Sequence, residues 1–147
     1  MTEQTITSAQ RRYIFDRLQQ LAEALPGQTE AVLNGLCAAD VEWRAAHPIN
    51  EMRGCDAVSG KVWEPLKRAL PDLERRDQIF VAGPYEGRAY IAAVGNYCGT
   101  FRSDWLGIPS NGQAIYLRYG EIYEIRDGRI VIVVDEEAVD TEGFFCL

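Results

Sequence analysis

The first half of the chain carries apolar residues at helical spacing, three or four positions apart, which predicts three amphipathic helices. The apolar positions are Ile14, Leu18, Leu21 and Leu25 in the first helix, Val32, Leu33 and Leu36 in the second, and Val58, Val62, Leu66 and Leu70 in the third. The predicted N-caps are Ser8, Thr29 and Asp56,. Pro26-Gly27 and Pro71-Asp72 are predicted to end the first and third helices,. Because Pro65 lacks the N–H that a helix interior uses, we expect a kink or restart near Glu64,.

The second half changes to alternating apolar and polar residues, which predicts strands. The predicted strands cover residues 74–83, 88–101, 113–126 and 129–135, and a shorter strand around Val41 and Trp43 precedes them. Asp127-Gly128 is a two-residue hairpin signal, residues 83–87 are predicted to form another turn, and residues 107–112 form a turn-rich loop,.

Helices followed by antiparallel strands indicate an α+β domain in which a curved antiparallel sheet packs on the N-terminal helices. We expect one domain over residues 1–147, with a helical part at 8–72 and a sheet part at 73–135,. The acid-rich stretch from Asp135 to Glu142, within the C-terminal tail at 136–147, is predicted to be solvated,. Arg75 and Arg76, flanked by Glu74 and Asp77, are interpreted as a mixed-charge edge.

Composition narrows the class of protein. The chain is 47% apolar and 25% charged, enough for a packed core,. A net charge of −7 argues against nucleic acid as a partner,. The most apolar uncharged stretch, residues 89–101, is too short to cross a membrane, and no secretion signal is visible, so we expect a cytoplasmic protein without a membrane partner,. The four cysteines lack metal-ligand spacing, so we expect free thiols, no metal and no cofactor,.

Glu121 is the most informative candidate residue. It lies in the middle of the odd-numbered row of the strand at 113–126, whose other members are Ile115, Leu117, Tyr119, Tyr123 and Ile125,. A buried carboxyl that holds its proton near neutral pH suits acid/base chemistry. The structural alternative is a Glu121 paired with an arginine, for example Arg118, or a row that faces solvent at that point.

Three further residues are candidates for the same chemistry. Tyr97 lies on the neighbouring strand among small residues that would leave room for a cavity, and its hydroxyl could bind a ligand or pack as core,. Asp104 follows at the end of that strand, next to Trp105, near the loop expected to rim the cavity. His47, the single histidine, lies in the loop after the first strand, where it could transfer protons or be a plain surface residue,.

Several segments resemble the SnoaL-like polyketide cyclases of the nuclear-transport-factor-2-like (NTF2-like) superfamily. They are the loop from His47 to Gly54, the helix residues Trp63-Glu64-Pro65-Leu66, the loop at 107–112, and the stretch from Glu121 through Asp127-Gly128 to Ile130. Two positions depart from the family pattern: Tyr97 stands where many members have histidine, and Ile132-Val133-Val134 replaces a polar Glu-His-Trp.

The resemblance implies a cone-shaped curved sheet, closed by helices around a deep apolar pocket, and a homodimer formed through the sheet. It implies that Glu121 is the acid/base residue, with His47 where relatives place a base. We expect Tyr97 and Asp104 to assist them. The residues expected to line the ligand site are Trp43, Trp63, Phe101, Trp105, Tyr119 and Tyr123.

Two functions follow from this sequence. The first is cofactor-free acid/base catalysis, of cyclase, isomerase or dehydratase type, on a small apolar carbonyl compound related to polyketides. The second is a non-catalytic ligand-binding or dimerisation module with the same fold. The second function predicts that Glu121 is salt-bridged and that the interior is closed.

Overall fold

Helices occupy the first half of the chain, as the apolar spacing predicts. In the computed structural model, which describes residues 5–137, α1 spans Ser8–Glu23 and α2 spans Thr29–Leu36. A third helical segment, α3 (Cys55–Val58), continues through a π-helical turn at Ser59–Trp63 into α4 (Glu64–Ala69). Pro65 lies in the first turn of α4, directly after this π-helical turn, so the restart near Glu64 is confirmed,.

The helix caps differ from the predicted ones by one or two residues. Thr7, rather than Ser8, caps α1: its hydroxyl accepts a hydrogen bond from the Gln10 N–H, and the Gln10 side chain accepts one from the Thr7 N–H,. Gln28 precedes α2 and Gly54 precedes α3, so Thr29 and Asp56 lie inside the helices that they were predicted to cap.

Leu25 was wrongly placed on the buried face of α1. The helix ends at Glu23 and Ala24 has an extended ψ of 142°, so the helical spacing no longer applies to Leu25. Its side chain is 66% exposed. The other three predicted positions, Ile14, Leu18 and Leu21, are buried.

One curled sheet forms the second half of the fold. Its strands are β1 (Cys37–Ala45), β2 (Glu51–Arg53), β3 (Glu74–Tyr85), β4 (Arg88–Thr100), β5 (Ala114–Arg126) and β6 (Arg129–Glu137), in the order β2-β1-β6-β5-β4-β3. The pairing is antiparallel except between β1 and β6. Asp127 and Gly128 both have positive φ, as do Glu86 and Gly87, which is the geometry of type I′ hairpin turns,. The predicted α+β fold is confirmed.

A β-bulge at Gln78 changes which residues of β3 face the helices. Asp77 pairs with Gly95 and Ile79 pairs with Val94, so β3 has one extra residue between these pairs,. Before the bulge, Arg75 and Asp77 point to the inner face; after it, Ile79 and Val81 point to the outer face. The interpretation of Arg75 and Asp77 as parts of a mixed-charge edge was therefore wrong.

The inner face of the sheet and the helices enclose the core. The odd-numbered row of β5, including Glu121, is buried as predicted. β6 extends to Glu137 and buries Asp135, so the prediction that Asp135 begins a solvated tail was wrong. Residues 138–147, the remainder of that tail, lie outside the described residues. Within residues 5–137, no helix is long and apolar enough to cross a membrane.

Candidate functional site

A cluster of charged and phenolic side chains lies inside the fold, on the inner face of β3, β4 and β5. Its members are Arg75, Asp77, Tyr97, Tyr119, Glu121 and Tyr123, which we call the Arg75 cluster. Strand register assembles it, because Arg75 pairs with Tyr97, Asp77 with Gly95, and Gly95 with Tyr119. The alternation of three neighbouring strands therefore directs all six side chains to one place.

Arg75 is the centre of the cluster and its side chain is fully buried. Nη1 donates to Glu121 Oε1 at 2.7 Å and to the Tyr97 hydroxyl at 3.0 Å. Nη2 donates to Asp77 Oδ1 at 3.0 Å and to the Tyr123 hydroxyl at 3.2 Å, while Nε contacts the same aspartate. The guanidinium also lies 4.5 Å from the ring centroid of Tyr119,. One cation thus joins two carboxylates and three aromatic rings.

Glu121 is 1% exposed and uses only one of its carboxylate oxygens. Oε1 accepts from Arg75 and, at 3.1 Å, from the Tyr97 hydroxyl. Oε2 is buried and has no hydrogen-bond partner within residues 5–137. Arg118, the example given for a pairing arginine, lies on the outer face of β5, and Glu121 is paired with Arg75 instead. A buried polar atom without a partner is uncommon and marks a place where function is plausible.

The tyrosines of the cluster remain protonated hydrogen-bond donors. Burial raises the pKa of Tyr97 well above its usual value, and the charges of Glu121 and Asp135 raise it further. Burial has the same effect on the pKa of Tyr119 and on that of Tyr123. Asp135 therefore lies close enough to the cluster for its charge to act on two of the phenols,.

Gly95 makes room for the hydroxyl of Tyr119. A Cβ at this position would lie 2.6 Å from that hydroxyl and would also overlap the backbone of Arg76. The Tyr119 hydroxyl instead reaches over Gly95 and donates to Asp77, which also accepts a hydrogen bond from Gln19 of α1 at 2.7 Å. The small residues of β4 were expected to leave space for a cavity, and at Gly95 that space is filled by Tyr119.

A series of aromatic rings leads from β1 to Glu121. Trp43 contacts Trp63 at a centroid distance of 6.4 Å, and Trp63 contacts Tyr97 at 5.8 Å, both edge to face,. The indole Nε1 atoms of Trp43 and Trp63 are buried and have no hydrogen-bond partner among residues 5–137. Two N–H donors and one carboxylate oxygen are thus unsatisfied along one contiguous series of side chains.

The rings expected to line a ligand site are tightly packed in this structure. Trp43, Trp63, Phe101, Tyr119 and Tyr123 are at most 2% exposed, and Trp105 is buried too. These five side chains are therefore covered almost entirely by other protein atoms,.

His47 lies apart from the Arg75 cluster, at a small pocket of about 20 Å³, which is room for about one water molecule,. The residues that line this pocket are Ala45, Ala46, His47, Pro48, Ile49, Leu106 and Asp135. β6 places Asp135 directly opposite Glu121 and beside Ala45. Asp135 therefore lies between the pocket that contains His47 and the cluster that contains Glu121.

Asp104 lies in the exposed loop between β4 and β5. Its Oδ1 accepts a hydrogen bond from the Ser110 N–H at 2.9 Å, which stabilises the loop. The structure thus brings Tyr97 and Glu121 into contact, places His47 near Asp135, and leaves Asp104 away from all of them.

Arg75, Asp77 and Asp135 are the members of this region that sequence reasoning missed. Arg75 and Asp77 alternate along a strand whose neighbour carries Tyr97, and this alternation was the available signal. The bulge at Gln78 interrupts the alternation, so the pattern does not continue through β3. Asp135 was hidden because it is followed by further acids, although it continues the apolar run Ile130–Val134. No group of three or more His, Cys, Asp or Glu side chains within the part of the chain that the structure describes is arranged to hold a metal ion.

Comparison with known proteins gives a consistent assignment of the fold. The family model for SnoaL-like polyketide cyclase matches residues 15–137. A protein from Jannaschia sp. CCS1, assigned as a SnoaL-like polyketide cyclase, superposes with a TM-score of 0.76 at 15% identity, covering 97% of this chain and 96% of that one. TsrD from Streptomyces laurentii superposes with a TM-score of 0.71 at 18% identity, covering 90% and 91%.

IdmH from Streptomyces antibioticus, assigned as a polyketide cyclase, superposes with a TM-score of 0.67 at 20% identity, covering 90% of this chain and 94% of that one. A search of curated proteins finds no match. At these identities the structural likeness establishes the fold, and the residues in the interior must be judged by their own chemistry.

Proposed function

The chain belongs to the SnoaL-like polyketide cyclase family, and from that premise we propose that it performs cofactor-free acid/base chemistry on a small apolar carbonyl compound. In this proposal Glu121 exchanges the proton, Tyr97 supports it by hydrogen bonding, and His47 serves as a base at the entry side. The substrate-binding walls are Trp43, Trp63, Phe101, Trp105, Tyr119 and Tyr123. Asp104 would act only through the loop that it stabilises.

One observation carries the proposal: Glu121 is a buried carboxylate with one unpartnered oxygen, and it stands at the end of an aromatic series with two unpartnered indole N–H groups. Indole N–H groups are donors only, and a ligand carbonyl is an acceptor that would satisfy them. A hydroxyl or enol on the same ligand would satisfy Glu121 Oε2. Because the rings are tightly packed, ligand entry requires their rearrangement.

An exchange assay tests this proposal without knowledge of the natural substrate. The enolisable ketone 2-tetralone is incubated with the protein in D₂O, and loss of its α-protons is followed by NMR. We expect the wild-type protein to accelerate exchange and Glu121→Gln to abolish the acceleration. Glu124→Gln is the matched control, because Glu124 is a buried carboxylate on the same strand, paired with Arg88 and Arg126 away from the cluster.

Wild-type exchange in the Glu121→Gln variant would remove Glu121 from the mechanism. No acceleration by the wild-type protein would favour the second candidate function, a non-catalytic ligand-binding module. The observation favouring that alternative is the 2.7 Å ion pair between Arg75 and Glu121 inside a packed interior, because a salt-bridged Glu121 and a closed interior are what the second function predicts.

We also propose that two copies of the chain associate through the outer face of the sheet. Val81, Ala92, Ile122 and Val134 stand side by side in register across β3, β4, β5 and β6. Of these, Val81, Ile122 and Val134 are 37–51% exposed, and Ile79 is exposed beside them. A contiguous apolar band of this kind is typical of an interaction surface.

Light scattering coupled to gel filtration tests the dimer. We expect wild-type protein to have the mass of a dimer and Ile122→Lys to have the mass of a monomer with the same circular dichroism spectrum. Leu25→Lys is the control, since Leu25 is an exposed apolar residue outside the band. A monomeric wild-type protein would contradict the proposal.

A further inference from the structure

A cavity of about 490 Å³ lies where the end of α1 meets the segment that follows α4. The apolar residues that line it are Ala22, Ala24, Leu25, Pro26, Pro71 and Leu73. Leu25 is 66% exposed, so this wall offers apolar surface that a ligand can cover,. The described lining shares no residue with the Arg75 cluster or with the pocket beside His47, so this cavity is a separate site.

Lys67 reaches from α4 to the end of α1 and brings an amine to this cavity. It is 4% exposed, and its Nζ donates to the carbonyl oxygens of Leu21 and Ala24, both at 2.6 Å. These carbonyls belong to the C-terminal end of α1, where a helix leaves its last carbonyls without partners of its own,. Lys67 and Ala24 both line the cavity, so the amine nitrogen is bonded to one of the wall residues.

The two carbonyls suit the neutral amine as well as the ammonium. A neutral Nζ keeps two N–H groups, which can still donate to Leu21 and Ala24, and its lone pair replaces the third proton of the ammonium,. Burial lowers the pKa of Lys67 from 10.5 to about 8, although the charge of Glu64 acts in the opposite direction,. Lys67 therefore combines a nucleophilic electron pair with a fixed position beside an apolar cavity.

The charges around the cavity favour a neutral ligand. Glu23 and Asp72 are lining residues, and the charge of Glu64 acts on Lys67. Hydrogen bonds from Thr100 lower the pKa of Asp72, which keeps that carboxylate ionised. Three carboxylates around one lysine repel an anionic ligand, whereas a neutral apolar ligand gains from covering the apolar walls.

From this arrangement we propose that Lys67 is a covalent binding site for neutral, apolar aldehydes, which it holds in the cavity as an imine. The lone pair of neutral Nζ forms a bond to the aldehyde carbon while the carbonyl electron pair moves to oxygen. Transfer of a proton from nitrogen to that oxygen gives a carbinolamine, and uptake of one further proton with loss of water leaves the protonated imine. Lysines desolvated in apolar surroundings are suited to this chemistry. The site holds or fails independently of proton exchange at Glu121.

Reductive trapping of the wild-type chain tests the site, because the chain has only two lysines and the exposed Lys61 is an internal control. The protein is incubated at pH 7 with benzaldehyde and sodium cyanoborohydride, and peptide mass spectrometry follows the benzylamine formed at each lysine. We expect Lys67 to be labelled at least about tenfold faster than Lys61. Toluene should compete at Lys67 and leave Lys61 unaffected. With 4-carboxybenzaldehyde, an anion, the preference for Lys67 should fall about fivefold or more.

A substitution in the cavity wall provides a second test that leaves Lys67 in place. Leu25→Asp should slow labelling of Lys67 by about threefold or more, because it removes apolar wall and adds a charge. Tyr85→Asp is the matched control, since Tyr85 is 67% exposed and lies outside the cavity. Labelling of Lys61 as fast as Lys67, no competition by toluene, an unchanged preference with the anionic aldehyde, or equal rates in the two variants would overturn the proposal.

Discussion

Replacing Arg75 by methionine removes the cation from the interior and keeps most of the side-chain volume. In the wild-type protein its guanidinium bonds to Glu121, Asp77, Tyr97 and Tyr123, and the Arg75 side chain has no exposed surface. The variant leaves the carboxylates of Glu121 and Asp77 buried without their cation. Breaking a buried ion pair in this way costs about 3–5 kcal/mol, a large share of the roughly 5–15 kcal/mol that stabilises a typical domain.

Urea unfolding at pH 7, followed by circular dichroism and tryptophan fluorescence, measures this loss. The double variant Arg75→Met/Glu121→Gln should be more stable than Arg75→Met, because it removes one of the uncompensated charges. A loss below about 1 kcal/mol, the scale of an exposed pair, or a double variant no more stable than Arg75→Met, would show that the ion pairs do not hold the interior together.

Four further substitutions, one of them a control, test other contacts. Gly95→Ala should lower the free energy of unfolding by more than about 2 kcal/mol, because its Cβ overlaps Tyr119 and the Arg76 backbone,. Gly35→Ala in α2 is the control: a Cβ there meets nothing within 4 Å, so this variant should be stabilised by about 0.5–1 kcal/mol. Thermal unfolding of both variants measures these differences. Hydrogen bonds from the Thr100 N–H and hydroxyl lower the pKa of Asp72. Asp72→Asn should therefore lower the free energy of unfolding by roughly 1 kcal/mol at pH 7. The difference in unfolding free energy between this variant and the wild type should shrink as pH falls below 3.8,. Burial lowers the pKa of Lys67 from 10.5 to about 8. Between these pH values the folded state therefore binds fewer protons than the unfolded state. In urea titrations the unfolding free energy of the wild type should rise relative to that of Lys67→Met from pH 8 to 10.5,.

The strands and the buried row of β5 could be predicted because alternation survives wherever one face of a sheet is buried. Glu121 was found in this way, since a carboxylate in an apolar row stands out from its neighbours. The sequence also placed Tyr97 on the adjacent strand, and register then brings its hydroxyl to Glu121. Both residues were accessible from local pattern alone.

Arg75 could not be found by the same reasoning, because the bulge at Gln78 interrupts the alternation of β3. The partners of Arg75 also lie 22 to 48 residues away in sequence, where no local pattern reveals them. The mixed charges around Arg75 predict a solvent-exposed edge. Only the pairing of β3 with β4 shows that the Arg75 side chain lies in the interior. The cap of α1 was missed by one residue, because Thr7 and Ser8 are adjacent hydroxyl residues that both suit an N-cap,. The start of α3 was missed by two residues, because Gly54 precedes it without a side-chain cap.

The bulge at Gln78 divides β3 into two parts that can change independently over evolutionary time. Substitutions at Arg75 and Asp77 alter the interior, and substitutions at Ile79 and Val81 alter only the outer band. A lineage could therefore exchange its partner surface while it keeps its interior chemistry, or the reverse. Regular pairing of residues 77–79 without the bulge would end that independence, because Asp77 and Ile79 would then share a face, which turns the apolar pair inward or the charged pair outward,.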